Sequence, residues 1–307
     1  MSRGNGSKTA LVTGANGFVG HYLVRLLVDN DYKVYAVIRN EQEDVSNVAG
    51  IENVEIVYCD MEEIEKLTEK VTEKNIDYVY HLAWAGSSGD LRMDYELQLK
   101  NVLWTCKLIE VLAKMEIKRI IISGSVTQLM YREYLTQDGI APEMVTCYAV
   151  GKLSTEYMCK CLCAKYDIDL CWAYISNFYG VDDPTKNFIN FLIENYSQNT
   201  VPTLTTAEQL ADFAYVTDIA KGMMYACERG KKNTSYYIGY GSPKPLKEFI
   251  LKVRDIINPE LESGIGKKNF NGKNVDFSKI DVQKLSRDTG YCADVAFEDG
   301  IQCMLIE

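Results

Sequence analysis

This 307-residue sequence predicts a doubly wound α/β fold: a parallel sheet followed by a smaller mixed α/β lobe. Three observations point there. Short β-branched runs alternate with amphipathic segments through the first 175 residues. The strand-like runs are nearly all apolar, as expected of strands covered on both faces. A glycine-rich turn, "LVTGANGFVG", directly follows the first of them.

In chain order, the strands are "TALVT" (9–13), "KVYAVI" (33–38), "VEIVY" (54–58), "YVYHLA" (78–83), "RIIIS" (119–123) and "LCWAYIS" (170–176). Each is rich in β-branched, aromatic or aliphatic residues. Helical patterns fill the gaps at 18–29, 61–73, 91–115 and 148–166. There the apolar residues recur at three- and four-residue spacing. Near residue 177 the alternation breaks, at Gly180 and Pro184. Helices are expected near 186–197, 217–229, 245–256 and 297–305, with a short strand at "SYYIG" (235–239). The predicted division is a dinucleotide-binding domain over 1–177 and a substrate lobe over 178–307, with 212–240 returning in part to the first. Open parallel sheets bind ligands beyond the carboxyl ends of their strands. The site is therefore expected between the lobes.

Composition narrows the function. The chain is 47% apolar and 25% charged, with a net charge of −10 and a pI of about 4.9. An acidic surface disfavours nucleic acid as a partner, because phosphate binding needs clustered Lys and Arg. The polar start "MSRGNGSK" and the lack of a long apolar run predict no signal peptide, no membrane span and a cytoplasmic protein. Ten cysteines and two histidines are present. The densest cluster, Cys159, Cys161 and Cys163, falls in a predicted helix that cannot close three thiolates on one metal. Buried reduced thiols, with no metal, are the expectation.

Gly14, Gly17 and Gly20 lie between the first strand and the first helix. A turn there must let a pyrophosphate approach backbone N–H groups at the positive helix end, and a Cβ would obstruct it. The spacing is G-x-x-G-x-x-G, wider in its first gap than the G-x-G-x-x-G pattern. With Asn16, Phe18 and Val19 it forms the expected cofactor loop of a Rossmann-type domain. The second strand ends "AVIRN". An acid there would bond the adenosine ribose, whereas Arg39 suits a 2′-phosphate and favours NADP(H). An exposed Arg39 with Glu41 serving the ribose, and hence NAD(H), is the competing reading. Asp60, in "YCDM", either accepts from the adenine amino group or caps its loop.

"TCYAVGKLSTE" places Tyr148 and Lys152 on one helix face. "RIIISGSVTQ" brings Ser123 and Ser125 to a strand's carboxyl end. With the glycine loop, this pattern resembles the extended short-chain dehydrogenase/reductase family, the sugar-nucleotide epimerase/dehydratase/reductase group. The resemblance runs through "YHLAWAG" (80–86), "NVLWT" (101–105), "NFYG" (177–180), "DFAYVTDIA" (212–220) and "YYIG" (236–239). It implies that Tyr148 is the proton donor or acceptor at the substrate oxygen. Lys152 would lower the phenol's pKa together with the nicotinamide cation, and would bond the nicotinamide ribose. Ser125 would bond the same substrate oxygen as Tyr148. Further cofactor contacts are implied for Met61, Leu82, Ala83, Trp84, Asn101 and Ser123. Ser125, Thr127, Asn177 and Tyr179 would meet the substrate. The family's four-helix bundle, made from 91–114 and 148–166 of two copies, implies a homodimer.

Departures from the family pattern sharpen the reading. Val126 and Thr127 stand where dehydratases carry Asp-Glu, so no acid is positioned to expel a hydroxyl. Tyr174 and "QLADF", with Leu210 and Ala211, stand where the family offers Arg to a nucleotide diphosphate. Lys186 or Lys244 could substitute. Trp84, Tyr174 and Tyr179 either line a sugar site or pack in the core. With Tyr148, Lys152, Ser125 and Arg39 together, the sequence predicts an NADP(H)-dependent reductase of a nucleotide-linked 4-keto-deoxy sugar, while the missing arginines favour a non-sugar carbonyl. The alternatives are an NAD-dependent nucleotide-sugar 4-epimerase, a reductase of a non-sugar carbonyl and a dinucleotide-sensing protein without turnover.

Overall fold

The computed structural model describes residues 8–73, 75–134, 143, 145–185, 187–269 and 272–306. The chain opens with β1 (Lys8–Thr13), the glycine turn and α1 (Phe18–Asp29). It continues through β2 (Tyr32–Ile38), β3 (Val54–Tyr58), a 3₁₀ segment over Met61–Lys66, the single turn α2 (Leu67–Lys70) and β4 (Tyr78–His81). A second 3₁₀ segment, Gly89–Met93, leads into α3 (Tyr95–Lys114), β5 (Arg119–Ser123), α4 (Val126–Tyr134), α5 (Thr146–Tyr166) and β6 (Asp169–Ile175). The remainder comprises β7 (Asn177–Tyr179), α6 (Phe188–Ser197), β8 (Leu210–Ala211), β9 (Phe213–Tyr215), α7 (Val216–Arg229) and β10 (Ser235–Ile238). It closes with β11 (Lys244–Pro245), α8 (Leu246–Ile257), α9 (Lys284–Thr289) and α10 (Phe297–Ile306).

Seven parallel strands form the central sheet, in the order β10-β6-β5-β4-β1-β2-β3. Period-two alternation sends side chains to opposite faces. Ala10, Val12, Val34, Ala36 and Ile121 join the core layer that includes α1 and α7. Leu11, Tyr35, Val37, Ile120 and Ile122 join the layer that includes α3 and α5. Both faces are thus covered, which is why these strands read as continuous apolar runs. Strand order reverses between β1 and β4, opening a crevice at their carboxyl ends. Two small sheets, β7 with β9 and β8 with β11, lie outside the main one.

Two helices are shorter than their apolar patterns suggest, and each has a local cause. Asp60 accepts from the Glu62 N–H at 2.8 Å and Glu63 leaves helical geometry, so the stretch near 61–73 becomes a 3₁₀ segment and one α-turn. Asp94 accepts from the Leu97 N–H at 3.0 Å and so starts α3 there, leaving Gly89–Met93 as a separate turn. The α4 helix, "VTQLMYREY", is an element the sequence reading left out. Along α3 and α5, the large apolar side chains of Tyr95, Leu99, Leu103, Tyr157 and Met158 remain exposed. Among the described residues no helix is long and apolar enough to cross a membrane.

Candidate active site

A cleft of about 1140 Å³ opens at the strand-order reversal. Its first wall is the turn between β1 and α1. Gly14 adopts φ +69°, and an added Cβ there would lie 2.9 Å from the Ala83 nitrogen. At Gly20 an added Cβ would lie 2.1 Å from the Gly14 carbonyl oxygen. Any side chain at either position would force the turn apart. Gly17, the N-cap of α1, supplies no side-chain bond to the first turn, so its N–H groups are not capped from within. Such a turn can accept a dinucleotide pyrophosphate. Asn16, Phe18 and Val19 line the same wall.

Arg39 follows β2 and lines the cleft. Its side chain is 60% exposed and its guanidinium stands 3.4 Å from Glu43, not from Glu41. An exposed pair of this kind is weak, and a phosphate could displace the carboxylate. Asp60 and Met61 line the cleft after β3, with one Asp60 oxygen already engaged by Glu62. Leu82, Ala83 and Trp84 follow β4. Asn101 holds this segment by accepting from the Ala85 N–H at 3.0 Å and donating to the Ala85 carbonyl at 2.8 Å. Its amide thus fixes the loop.

Ser123, Ser125, Tyr148 and Lys152 share the wall formed by the end of β5 and by α5. The Ser125 hydroxyl donates to Thr127 Oγ1 at 3.1 Å, and Gln128 Oε1 accepts from the Ser125 N–H at 2.8 Å. Tyr148 is buried, and burial pushes its phenol above the usual range, while a hydrogen bond with Ser125 and the charge of Arg92 pull the other way. Lys152 donates to the Ser123 carbonyl at 2.7 Å, and its Nζ stands 3.8 Å from the Trp84 ring centroid. Burial brings its pKa down to about 7. Arg92, absent from the sequence expectation, adds a positive charge near Tyr148. His81 lies behind this wall, between Thr13 Oγ1 at 2.7 Å and Thr105 Oγ1 at 3.1 Å. Burial and the Lys152 charge hold its pKa down to about 3.

Behind α5, buried Glu156 accepts from Tyr174 at 2.6 Å and pairs with Lys160 at 2.5 Å. Position 174 therefore serves this cluster, and Tyr174 is not among the cleft-lining residues. Its lack of an arginine leaves no gap in the cleft wall. Thr127 and Asn177 line the cleft, as do Leu210 and Ala211. Tyr179 does not. It is fully buried, donates to the Phe297 carbonyl at 3.0 Å and packs against Tyr215 and Phe297. Packing explains the correction, since Tyr179 ends a three-residue strand where Tyr215 and Phe297 enclose its ring. Lys244 sits in β11 outside the lining, and Lys186 lies outside the described residues.

Several lining residues escaped the sequence reading, among them Arg92, Thr185, Asn187, Gln209 and Lys273. Arg92 lies in the 3₁₀ turn between β4 and α3, which carries no periodic signal. The others come from loops without periodicity. Among the described residues no three His, Cys, Asp or Glu side chains are placed to hold a metal ion.

A family model described as the NAD dependent epimerase/dehydratase family matches residues 10–239. A putative UDP-glucose 4-epimerase of Methanocaldococcus jannaschii is 28% identical over 262 residues, covering 82% of each chain. CDP-abequose synthase of Salmonella typhimurium is 24% identical over 261 residues, again covering 82% of each. Among solved structures, the Bordetella bronchiseptica enzyme WbmF in complex with NADH superposes with a TM-score of 0.79 at 20% identity, over 98% of this chain and 91% of that one.

Proposed function

The chain belongs to the NAD dependent epimerase/dehydratase family, and we propose that within it this protein is an NADP(H)-dependent reductase of a nucleotide-linked 4-keto-deoxy sugar. The observation that carries the reading is the wall made by Ser125, Tyr148 and Lys152, facing the glycine turn across one cleft. A bound nicotinamide supplies the hydride. The protein's part is the proton and the geometry.

Tyr148 is the acid. Burial favours its protonated form, the form that can donate to a carbonyl oxygen as that oxygen gains charge. Ser125 orients the same oxygen, with Thr127 and Gln128 holding it in place. Lys152 and Ser123 meet the nicotinamide ribose. The glycine turn with Asn16, Phe18 and Val19 takes the pyrophosphate, and Arg39 exchanges Glu43 for a 2′-phosphate. Asn177 is the substrate-side amide. Val126 and Thr127 leave no carboxylate to protonate a departing hydroxyl, which argues against dehydration. The exposed apolar stripe on α3 and α5 supports a homodimer. Sedimentation at micromolar concentration should give twice the chain mass, and a monomer there would remove that part of the reading.

The test of the main reading is cofactor traffic. Purified protein should carry little bound nucleotide, and a nucleotide-linked 4-keto-deoxy sugar should oxidise added NADPH stoichiometrically. Tyr148→Phe should lower turnover by about 10²–10⁴ while cofactor binding survives. Protein that arrives loaded with NAD and interconverts sugar epimers without added cofactor would make the epimerase reading correct. The name of the Methanocaldococcus relative keeps that reading second.

A further inference from the structure

Arg92 lies in the 3₁₀ segment Gly89–Met93, between β4 and α3, and lines the cleft beside Tyr148. Its guanidinium carbon stands 5.3 Å from the Tyr148 ring centroid. Arg92 Nε donates to the Ser87 carbonyl at 2.6 Å, which aims the planar fork. Gln98 pins the same loop by donating to the Gly86 and Leu91 carbonyls, each at 3.0 Å. The Gln98 oxygen accepts from Trp84 Nε1 at 3.0 Å, and Trp84 meets the Tyr148 ring edge-on at 6.1 Å. One buried glutamine thus fixes two groups that contact the phenol ring.

The cations of this cleft differ in their partners. Arg39 faces Glu43, Lys273 pairs with Glu143 at 3.1 Å, and Lys152 bonds the Ser123 carbonyl against the Trp84 face. Arg92 forms no ion pair among the described residues, although Asp90 and Asp94 flank it in sequence. The Asp94 carboxylate is occupied in capping α3. We propose that Arg92 is a positioning residue, holding a fixed positive charge against the Tyr148 ring and favouring the phenolate that remains after the proton is given. This rests on reading Tyr148 as the acid/base.

The groups that face Tyr148 can be named element by element. Ser125 comes from the loop after β5, Trp84 from the loop after β4, Arg92 from the 3₁₀ segment, and Lys152 lies one turn on in α5 itself. Neutral His81 lies behind Lys152. Among the described residues, no carboxylate is in this set. A phenolate ring attracts a cation over its face more strongly than a phenol does. Protonation is therefore disfavoured at this ring relative to an equally buried one without the guanidinium.

The first measurement needs no substrate. Cofactor-free protein labelled with ¹³C at the tyrosine Cζ is titrated by NMR, and the Tyr148 resonance is identified by its loss in Tyr148→Phe. Arg92→Gln should move the Tyr148 midpoint upward by about one pH unit. Arg92→Lys should recover part of the shift, and circular dichroism should show both variants folded. An unchanged midpoint in folded Arg92→Gln overturns the proposal. So does an unchanged pH–rate profile accompanied by a raised KM alone, since that result makes Arg92 a substrate ligand. If Tyr148→Phe keeps its turnover, the acid/base reading fails, whereas the titration still reports on Arg92 and the ring. The two failures are thereby told apart.

Discussion

On the side of Gly14, Gly17 and Gly20 the cleft wall is main chain; on the side of Thr185, Leu210 and Lys273 it is side chain. The first wall tolerates almost no substitution, because added Cβ atoms would meet backbone. The second comes from the loop after β7, from the two-residue β8 and from the loop between α8 and α9, all outside the main sheet. One cofactor-binding frame can therefore serve many substrates, since variation is confined to the half that does not hold the frame together.

The largest expected effect tests that contrast directly. Gly20→Ala should weaken dinucleotide binding about 100-fold by calorimetry, equivalent to about 3 kcal/mol, because the new methyl collides with the Gly14 carbonyl. On the other wall, Leu210→Ala should leave cofactor affinity within about 0.5 kcal/mol. Similar losses for both would erase the distinction between the walls. A smaller, selective effect is expected at Arg39, a side chain on the main-chain half. Arg39→Ala should weaken NADPH binding by about 1.5–3 kcal/mol and leave NADH binding nearly unchanged. Equal losses, or tighter NADH binding in the unmodified protein, would make Arg39 a plain exposed charge. The smallest effect belongs to Tyr179, just beyond the variable wall. Tyr179→Phe removes the bond to the Phe297 carbonyl. It should lower stability in urea by about 1 kcal/mol and leave KM for both substrates in place; a changed KM would return Tyr179 to the cleft.

The contrast between the walls also marks how far the sequence could be read. The glycine turn was legible because a dinucleotide loop imposes spacing on the main chain, and glycine is the residue that meets it. Tyr148 and Lys152 were legible because four-residue spacing puts both on one helical face. The sheet was legible through its apolar runs. Tyr179 was misassigned because aromatic residues at a strand end look alike whether they face a ligand or a core; only the packing of α10 decides between them. Tyr174 carried the same ambiguity, resolved by a carboxylate 18 positions away in sequence. Arg92 was invisible because a 3₁₀ turn has no long period, and its importance arises from a ring 56 residues downstream. Contacts of that kind are written in tertiary structure rather than in any local pattern.

The pairing of β10 with β6 has a consequence for how the protein is made. A ribosome delivers Asp169–Ile175 well before it delivers Ser235–Ile238. At ordinary elongation rates the interval is on the order of several seconds. During that time the β6 edge, with Trp172 and Ile175 in it, has no neighbour on its outer side, and α7 is not yet present to cover α1. Unpaired strand edges recruit other chains. The nascent polypeptide is thus open to misassociation at this edge while synthesis runs from Ile175 to Ser235, and a chaperone that shields that edge would act in this window.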